Sequence, residues 1–185
     1  PEMISNLSQV LFDEWFDPKK IKDQSKIVDL PEIAKVVDCL HIKIPKRHKE
    51  GRPLLQVFNI GYDGLLDLTD IYNISKEDYD IWSKNIEVRE GDIVITNAGR
   101  VGAIAQIPRG FKAAIGRNMT ALRPLGISPT YLLHYLFSSY GKQQINVNTD
   151  SSTIFASLNV RGIKKMKILV PPKDLLDKYE EVAAL

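Results

Sequence analysis

At 185 residues, 44% of them hydrophobic and 26% charged, the chain suits one globular domain with a substantial core, which excludes general disorder. Its single cysteine, Cys39, excludes an internal disulfide framework and a cysteine-based zinc site, and fits a reducing cytoplasm. The formal net charge of +2 hides a polarity along the chain: residues 1–92 carry 13 cations against 18 anions, residues 93–185 carry 12 against 5.

In chain order, Ile4, Leu7, Val10, Leu11, Trp15 and Phe16 recur at helical spacing and predict a helix over 2–16, ended by Asp17-Pro18. Residues 19–26 read as a polar linker. Leu30 to Cys39 reads as a short helix running into a strand. His41 to Arg52 holds five cations against one carboxylate around a proline and a glycine, which reads as an exposed basic loop. Leu54–Ile60 and Leu65–Ile71 are expected strands on either side of a turn at Gly61-Tyr-Asp-Gly64. Ser75 caps a short helix over 75–82. Ile93–Thr96 and Val101–Ile107 form an expected hairpin around Asn97-Ala-Gly-Arg100.

Further on, 113–115 and Met119–Leu122 are short apolar strands. Ser128-Pro129 opens a helix that runs towards Gly141 and on to Ile145. Residues 146–157 read as polar loop, Asn159 as the cap of a short turn, and Met166–Val170 as a buried strand. Pro171-Pro172 opens a terminal helix with Leu175, Leu176, Tyr179 and Val182 on one stripe. Strands dominate the middle and helices flank them, so the expected class is α+β, with a twisted, mostly antiparallel sheet. No apolar run approaches the roughly 18 residues of a membrane span, and the first residues do not read as a signal peptide. The chain opens on Pro1 and stops within a helix, so it is expected to be trimmed or cut from something longer.

The charge distribution carries the functional signal. Over the 57 residues 93–149 there is no Asp or Glu, yet there are six cations, Arg100, Arg109, Lys112, Arg117, Arg123 and Lys142. A surface that accepts arginine and excludes carboxylates suits a polyanion. Four segments are candidates. In the basic loop, Lys43, Lys46, Arg47, His48, Lys49 and Arg52 have the flexible cationic stems that phosphate contacts need, although a solvated surface has the same composition. In Asn97-Ala-Gly99-Arg100-Val-Gly102, arginine can pair with guanine and asparagine with adenine, although a tight hairpin also needs those glycines. Arg117 and Asn118 can likewise read bases or phosphates, or simply end a strand. Ser152 and Thr153 could hold a phosphate by hydroxyl and backbone N–H, or cap a turn.

No catalytic constellation stands beside these. His41 and His48 flank a proline, and His134 falls in a helix. There is no zinc-protease spacing, nucleophile elbow, P-loop or dinucleotide fingerprint. Val170-Pro-Pro-Lys173 lacks the amide or carboxylate of an amino-methyltransferase site. Asp38-Cys39-Leu-His41 places a thiol and an imidazole on one face, with nothing to supply an oxyanion hole.

The order of these segments resembles the target recognition domain of a type I restriction–modification specificity subunit. The likeness runs through Gly91-Asp92-Ile-Val-Ile, Gly99-Arg-Val-Gly102, Arg117-Asn118 and Ala121-Leu-Arg-Pro124. It continues through Tyr131-Leu-Leu, Phe137-Ser-Ser, Ser152-Thr153, Leu158-Asn159 and Ile163, and closes on Ile168-Leu-Val-Pro-Pro172. Val37-Asp-Cys-Leu-His41 is similar to a segment early in such domains. Leu11-Phe-Asp-Glu-Trp-Phe16 is similar to the tail of the helix that precedes the second one.

The resemblance implies three segments: the end of a preceding conserved helix over 1–17, the recognition domain over 18–170, and the start of a spacer helix over 171–185. It implies a non-catalytic, cytoplasmic reader of one half of a split site in double-stranded DNA. Lys43, Lys46, Arg47, Lys49 and Arg52 would clamp phosphates, with Asn97, Arg100, Arg117 and Asn118 as base readers. No cofactor is expected in this chain; S-adenosylmethionine would belong to the partner methylation subunits, which pack on the helices, with the restriction subunit joining that core. A full specificity subunit is about twice as long, so the chain is expected to be a fragment, or a natural half-subunit that self-associates by its terminal helices. A specificity module of another restriction type and a protein-assembly domain are the alternatives.

Overall fold

The computed structural model describes residues 2–151 and 156–183, with residues 2–6 described by their backbone alone. The N-terminal helix α1 (Glu2–Trp15) is followed by α2 (Pro18–Ile21), which starts where the Asp17 carboxylate accepts the Lys19 N–H at 2.9 Å. The expected linker is therefore structured. Ile21 is buried, and the next residues run into strand β1 (Lys26–Asp29). The α3 turn (Leu30–Ile33) is closed by Glu32, which accepts the Asp29 N–H at 2.7 Å, and it leads into β2 (Ala34–Asp38), as the sequence predicts.

The next expectation fails in an instructive way. Strand β3 (Arg52–Leu55) stops at Leu55, and no strand forms over 65–71. The buried amide of Asn59 donates to the carbonyls of Asp67 at 2.8 Å and Asp70 at 3.0 Å, while its oxygen accepts the Gln56 N–H at 2.9 Å. Asp63 and Asp67 accept the N–H groups of Leu65 and Thr69. Short polar side chains thus take the backbone groups that a sheet ladder would need, and 56–70 becomes a compact loop. Pairing resumes with β4 (Tyr72–Ile74), followed by α4 (Lys76–Trp82), capped by Ser75 at 3.0 Å.

The central sheet has the order β2-β8-β5-β6, entirely antiparallel, built from β2, β5 (Ile93–Thr96), β6 (Ile104–Gln106) and β8 (Met119–Pro124). Every residue of β5 is buried, as expected of a strand covered on both faces. On one face Ile93, Ile95, Ile104 and Leu122 meet the helices, and Phe12, Phe16, Tyr131 and Tyr179 stack there with ring centroids as close as 4.9 Å. On the other face Val94, Ala105, Met119 and Ala121 meet Leu55, Ile60 and Ile115. A second sheet, β4-β3-β7, includes β7 (Ala114–Ile115) and holds the one parallel pairing among the described strands, β3 with β7. The class is α+β, as the sequence indicates.

The expected single helix after Pro129 is two. Helix α5 (Pro129–Phe137) ends at Ser138, which has extended backbone geometry and accepts the Gly141 N–H at 3.3 Å to start α6 (Ser139–Asn148). Gly141 permits the break, because a Cβ there would lie 2.2 Å from the Tyr135 carbonyl oxygen. Asn159 caps α7 (Val160–Lys164), β9 (Lys167–Val170) pairs antiparallel with β1, and α8 (Lys173–Ala183) closes the described chain. None of the described helices is long and apolar enough to cross a membrane.

Candidate nucleic-acid interface

Topology sets the interface. Strands β2, β3, β5 and β7 finish at one end of the stacked sheets, where β6 and β8 begin. Four connecting segments therefore emerge together, and backbone hydrogen bonds tie them. Gly116 N–H donates to Leu55 O at 2.8 Å, Asn97 N–H to Asn118 O at 2.7 Å, Leu158 N–H to Asn97 O at 2.8 Å, and Cys39 N–H to Met119 O at 3.2 Å. The segments that start at 39, 56, 97 and 116, far apart in sequence, form one surface at this end together with 156–158.

Arg117 and Asn118 crown it. Both side chains are exposed, and among the described residues neither has a hydrogen-bonding or ionic partner. Asn118 has φ +62°, a left-handed conformation that asparagine tolerates better than most residues and that no other described non-glycine residue adopts. That turn directs the chain into β8 and aims both side chains outward.

Asn97 has another use. Its amide nitrogen donates to Thr120 Oγ1 at 3.0 Å and to Leu158 O at 2.6 Å, and its oxygen accepts from the Thr120 hydroxyl at 3.2 Å. The group expected to read a base edge instead ties hairpin, sheet and loop together. Arg100 differs again. Its Nη1 donates to Ile60 O at 2.7 Å, and its guanidinium lies 3.9 Å from the centroid of the Tyr62 ring, so it is covered rather than projecting. The Thr96 hydroxyl donates to Arg100 O and fixes the hairpin tip.

The basic loop is exposed as expected. Lys43, Lys46, His48, Lys49 and Arg52 face solvent, and the three lysine side chains have no partner among the described residues. Arg47 is engaged: it pairs with Asp70, donates to Ile71 O at 3.1 Å and sits 5.6 Å from the Tyr72 ring centroid. Ser152 and Thr153 lie outside the described residues. Asp38 and His41 pair at 3.0 Å, and with Cys39 their ligand atoms lie within 4.8 Å of one another. Burial pushes the Cys39 thiol up, away from the thiolate that a metal or a nucleophilic step requires.

Sequence reasoning missed Phe58 and Tyr62, 51% and 85% exposed on the 56–62 segment, with Tyr62 stacked on Arg100. The signal was an aromatic residue inside the turn Asn59-Ile-Gly-Tyr-Asp-Gly64. At the opposite end of the central sheet, Arg123 grips buried Asp92 side-on, Nε to Oδ1 at 2.8 Å and Nη2 to Oδ2 at 2.6 Å, and also donates to Glu87 O. Its pKa is raised by that pairing. One cation of the carboxylate-free segment is thus structural.

No protein-family model matches the chain. Over 124 residues, 66% of its length, it is 30% identical to the type I restriction enzyme EcoBI specificity subunit of Escherichia coli, covering 26% of that protein. Its fold is similar to the HsdS subunit of Thermoanaerobacter tengcongensis, with TM-score 0.59, 19% identity, and coverage of 98% of this chain and 44% of that one. It is also similar to the type I restriction–modification S subunit of M. genitalium, with TM-score 0.57, 18% identity, and coverage of 98% and 48%. A chain from a structure of a type I restriction–modification system, described for complex assembly and conformational transition, gives TM-score 0.61 at 20% identity, covering 99% and 43%. The chain spans about a quarter of the curated relative and less than half of each structural one. Sequence and fold together relate it to the specificity subunits of type I restriction–modification systems, and are consistent with a target recognition domain.

Proposed function

We propose that this chain reads one half of a split site in double-stranded DNA for a type I restriction–modification enzyme, without catalysis of its own. The observation that carries the reading is the loop-bearing sheet end, where Arg117 and Asn118 stand exposed and unpartnered among the described residues beside the Asn97–Gly102 hairpin. Arginine and asparagine are the residue types that pair two hydrogen bonds with guanine and adenine. Lys43, Lys46 and Lys49, on the loop that leaves β2, supply phosphate contacts, and this electrostatic part makes affinity fall as salt rises.

In this reading the methylation subunits carry S-adenosylmethionine, and the restriction subunit joins through the complex, in the cytoplasm. The helical side of the domain supports an assembly role. Leu7 and Val10 are exposed on α1, and a groove between Pro18, exposed Ile27, Tyr140 and Leu169 is bordered by lysines. Those apolar surfaces suit a protein partner or a second copy rather than DNA.

The test is selection of duplexes from a random pool by the full chain, alone and with its methylation subunit, at low and moderate salt. Enrichment of a motif of about three to five base pairs, weakened by salt, supports the reading. Intact binding to the methylation subunit with no enriched motif overturns it in favour of an assembly module.

A further inference from the structure

Arg100 has an unusual environment for a surface hairpin. Its Nη1 is bonded to Ile60 O, but Nε and Nη2 are buried with no partner among the described residues. Those two N–H groups form the side-on edge of the guanidinium, the edge with which Arg123 grips both oxygens of Asp92 in this same fold. A buried donor without an acceptor is costly, and two on one edge match an acceptor with paired oxygens. The guanidinium lines a cleft of about 330 Å³ together with Gly61, Tyr62, Gly102 and Phe137. Tyr62 is 85% exposed, so little besides the stack restrains its ring. Phe137 is packed against the helical core and Gly102 against Ile145, so Tyr62 is the lining side chain that can leave.

We propose that Arg100 is a latched clamp: Tyr62 covers it in the free protein, and duplex DNA displaces the ring and gives a backbone phosphate to the Nε/Nη2 edge. The proposal rests on the DNA-reading function above and deepens it. It reassigns Arg100 from base reading to phosphate binding, because an anion offsets the recessed charge while the outward Arg117 and Asn118 meet base edges. Guanine O6 and N7 offer a similar pair of acceptors, so the experiment separates the two sources.

Affinity is measured with the full chain, on the selected duplex and on a mixed-sequence duplex, across a salt series. Arg100→Ala is expected to lower affinity about tenfold on both duplexes alike and to reduce the salt slope by about one. Arg100→Lys keeps the charge but lacks the side-on edge, so it loses affinity with the slope retained; melting curves show that both variants fold. Tyr62→Ala binds at least as tightly as the parent. A methylphosphonate scan of the duplex finds one position that weakens the parent but leaves Arg100→Ala unaffected.

An Arg100→Ala protein with parental affinity overturns the clamp, and Tyr62→Ala losing as much as Arg100→Ala overturns the latch. A changed preference at one base pair, abolished by 7-deazaguanine there, overturns the phosphate in favour of guanine. In each of these cases Arg117→Ala still weakens selective binding and the DNA reading stands. If the parent itself shows no salt-dependent binding, that reading fails and the clamp fails with it.

Discussion

The two ends of the central sheet each carry an arginine from the same carboxylate-free segment, and they treat it in opposite ways. At one end Arg123 is fastened to buried Asp92 and to a backbone carbonyl. At the other, Arg100 has one bond to a carbonyl and an unmatched edge, and Arg117 has no partner among the described residues. A positive stretch of sequence is therefore not a uniform surface. At the closed end a buried carboxylate grips the charge, which builds the fold; at the open end no described carboxylate pairs with Arg100 or Arg117, and the charge remains available to a ligand.

The largest effect expected from breaking this contrast is at the closed end. Asp92→Ala leaves Arg123 partly buried without its carboxylate, and should lower stability by about 3 kcal/mol in urea unfolding. DNA affinity per folded molecule should not change. Asn97→Ala, at the open end, removes the ties to Thr120 and Leu158 and should cost about 2 kcal/mol of stability. If Asn97→Ala instead kept full stability but altered base preference, the amide would be a reader after all.

Arg117→Ala should lower selective affinity by about 1–3 kcal/mol and relax the choice at one position, read by repeating the duplex selection. Asn118→Gly is the sharper companion, because glycine accepts φ +62° without strain and any lost selectivity then belongs to the amide. Lys46→Ala should weaken all sequences alike and flatten the salt slope by about one, with melting unchanged.

The smallest effect lies away from both ends. Burial holds the His134 pKa below its ordinary 6.5, against a raising influence from Asp13, and Nδ1 meets the Tyr179 hydroxyl at 2.5 Å. The unfolded chain takes up this proton first. The contribution is therefore complete above about pH 6.5 and declines as pH falls through that value towards the lower folded pKa. His134→Gln should flatten this part of the stability–pH curve, measured by thermal melting at stepped pH.

The elements with strong local signals were legible. Ser75 and Ser128 cap the helices they predict, Asn159 caps its short turn, and the Ile93–Thr96 hairpin forms as its apolar strand and glycine turn require. The failures share a cause. Leu65–Ile71 has the composition of a strand, but Asn59, a residue outside it, captures its carbonyls. The helix after Pro129 breaks at Ser138 because its hydroxyl offers a new cap where a glycine admits close packing. At the candidate site, the residue types were readable but their allegiance was not. Asn97 and Asn118 are the same amino acid at two turns of one surface. Only the positions of Thr120 and Leu158, set by tertiary pairing, turn one inward and leave the other facing out.

The β1–β9 ribbon has a kinetic consequence. Ile27 faces Leu169 across it, so a strand near the start of the described chain waits for one near the end. Contacts of such sequence separation are slow to close, because loop entropy must be overcome before they stabilise anything. During synthesis β1 leaves the ribosome before β9 and stays without its neighbour, its ladder groups unpaired, until β9 emerges. Ribosome-stalled chains ending before Lys167 should accordingly be far more sensitive to protease than those extending past Ala183.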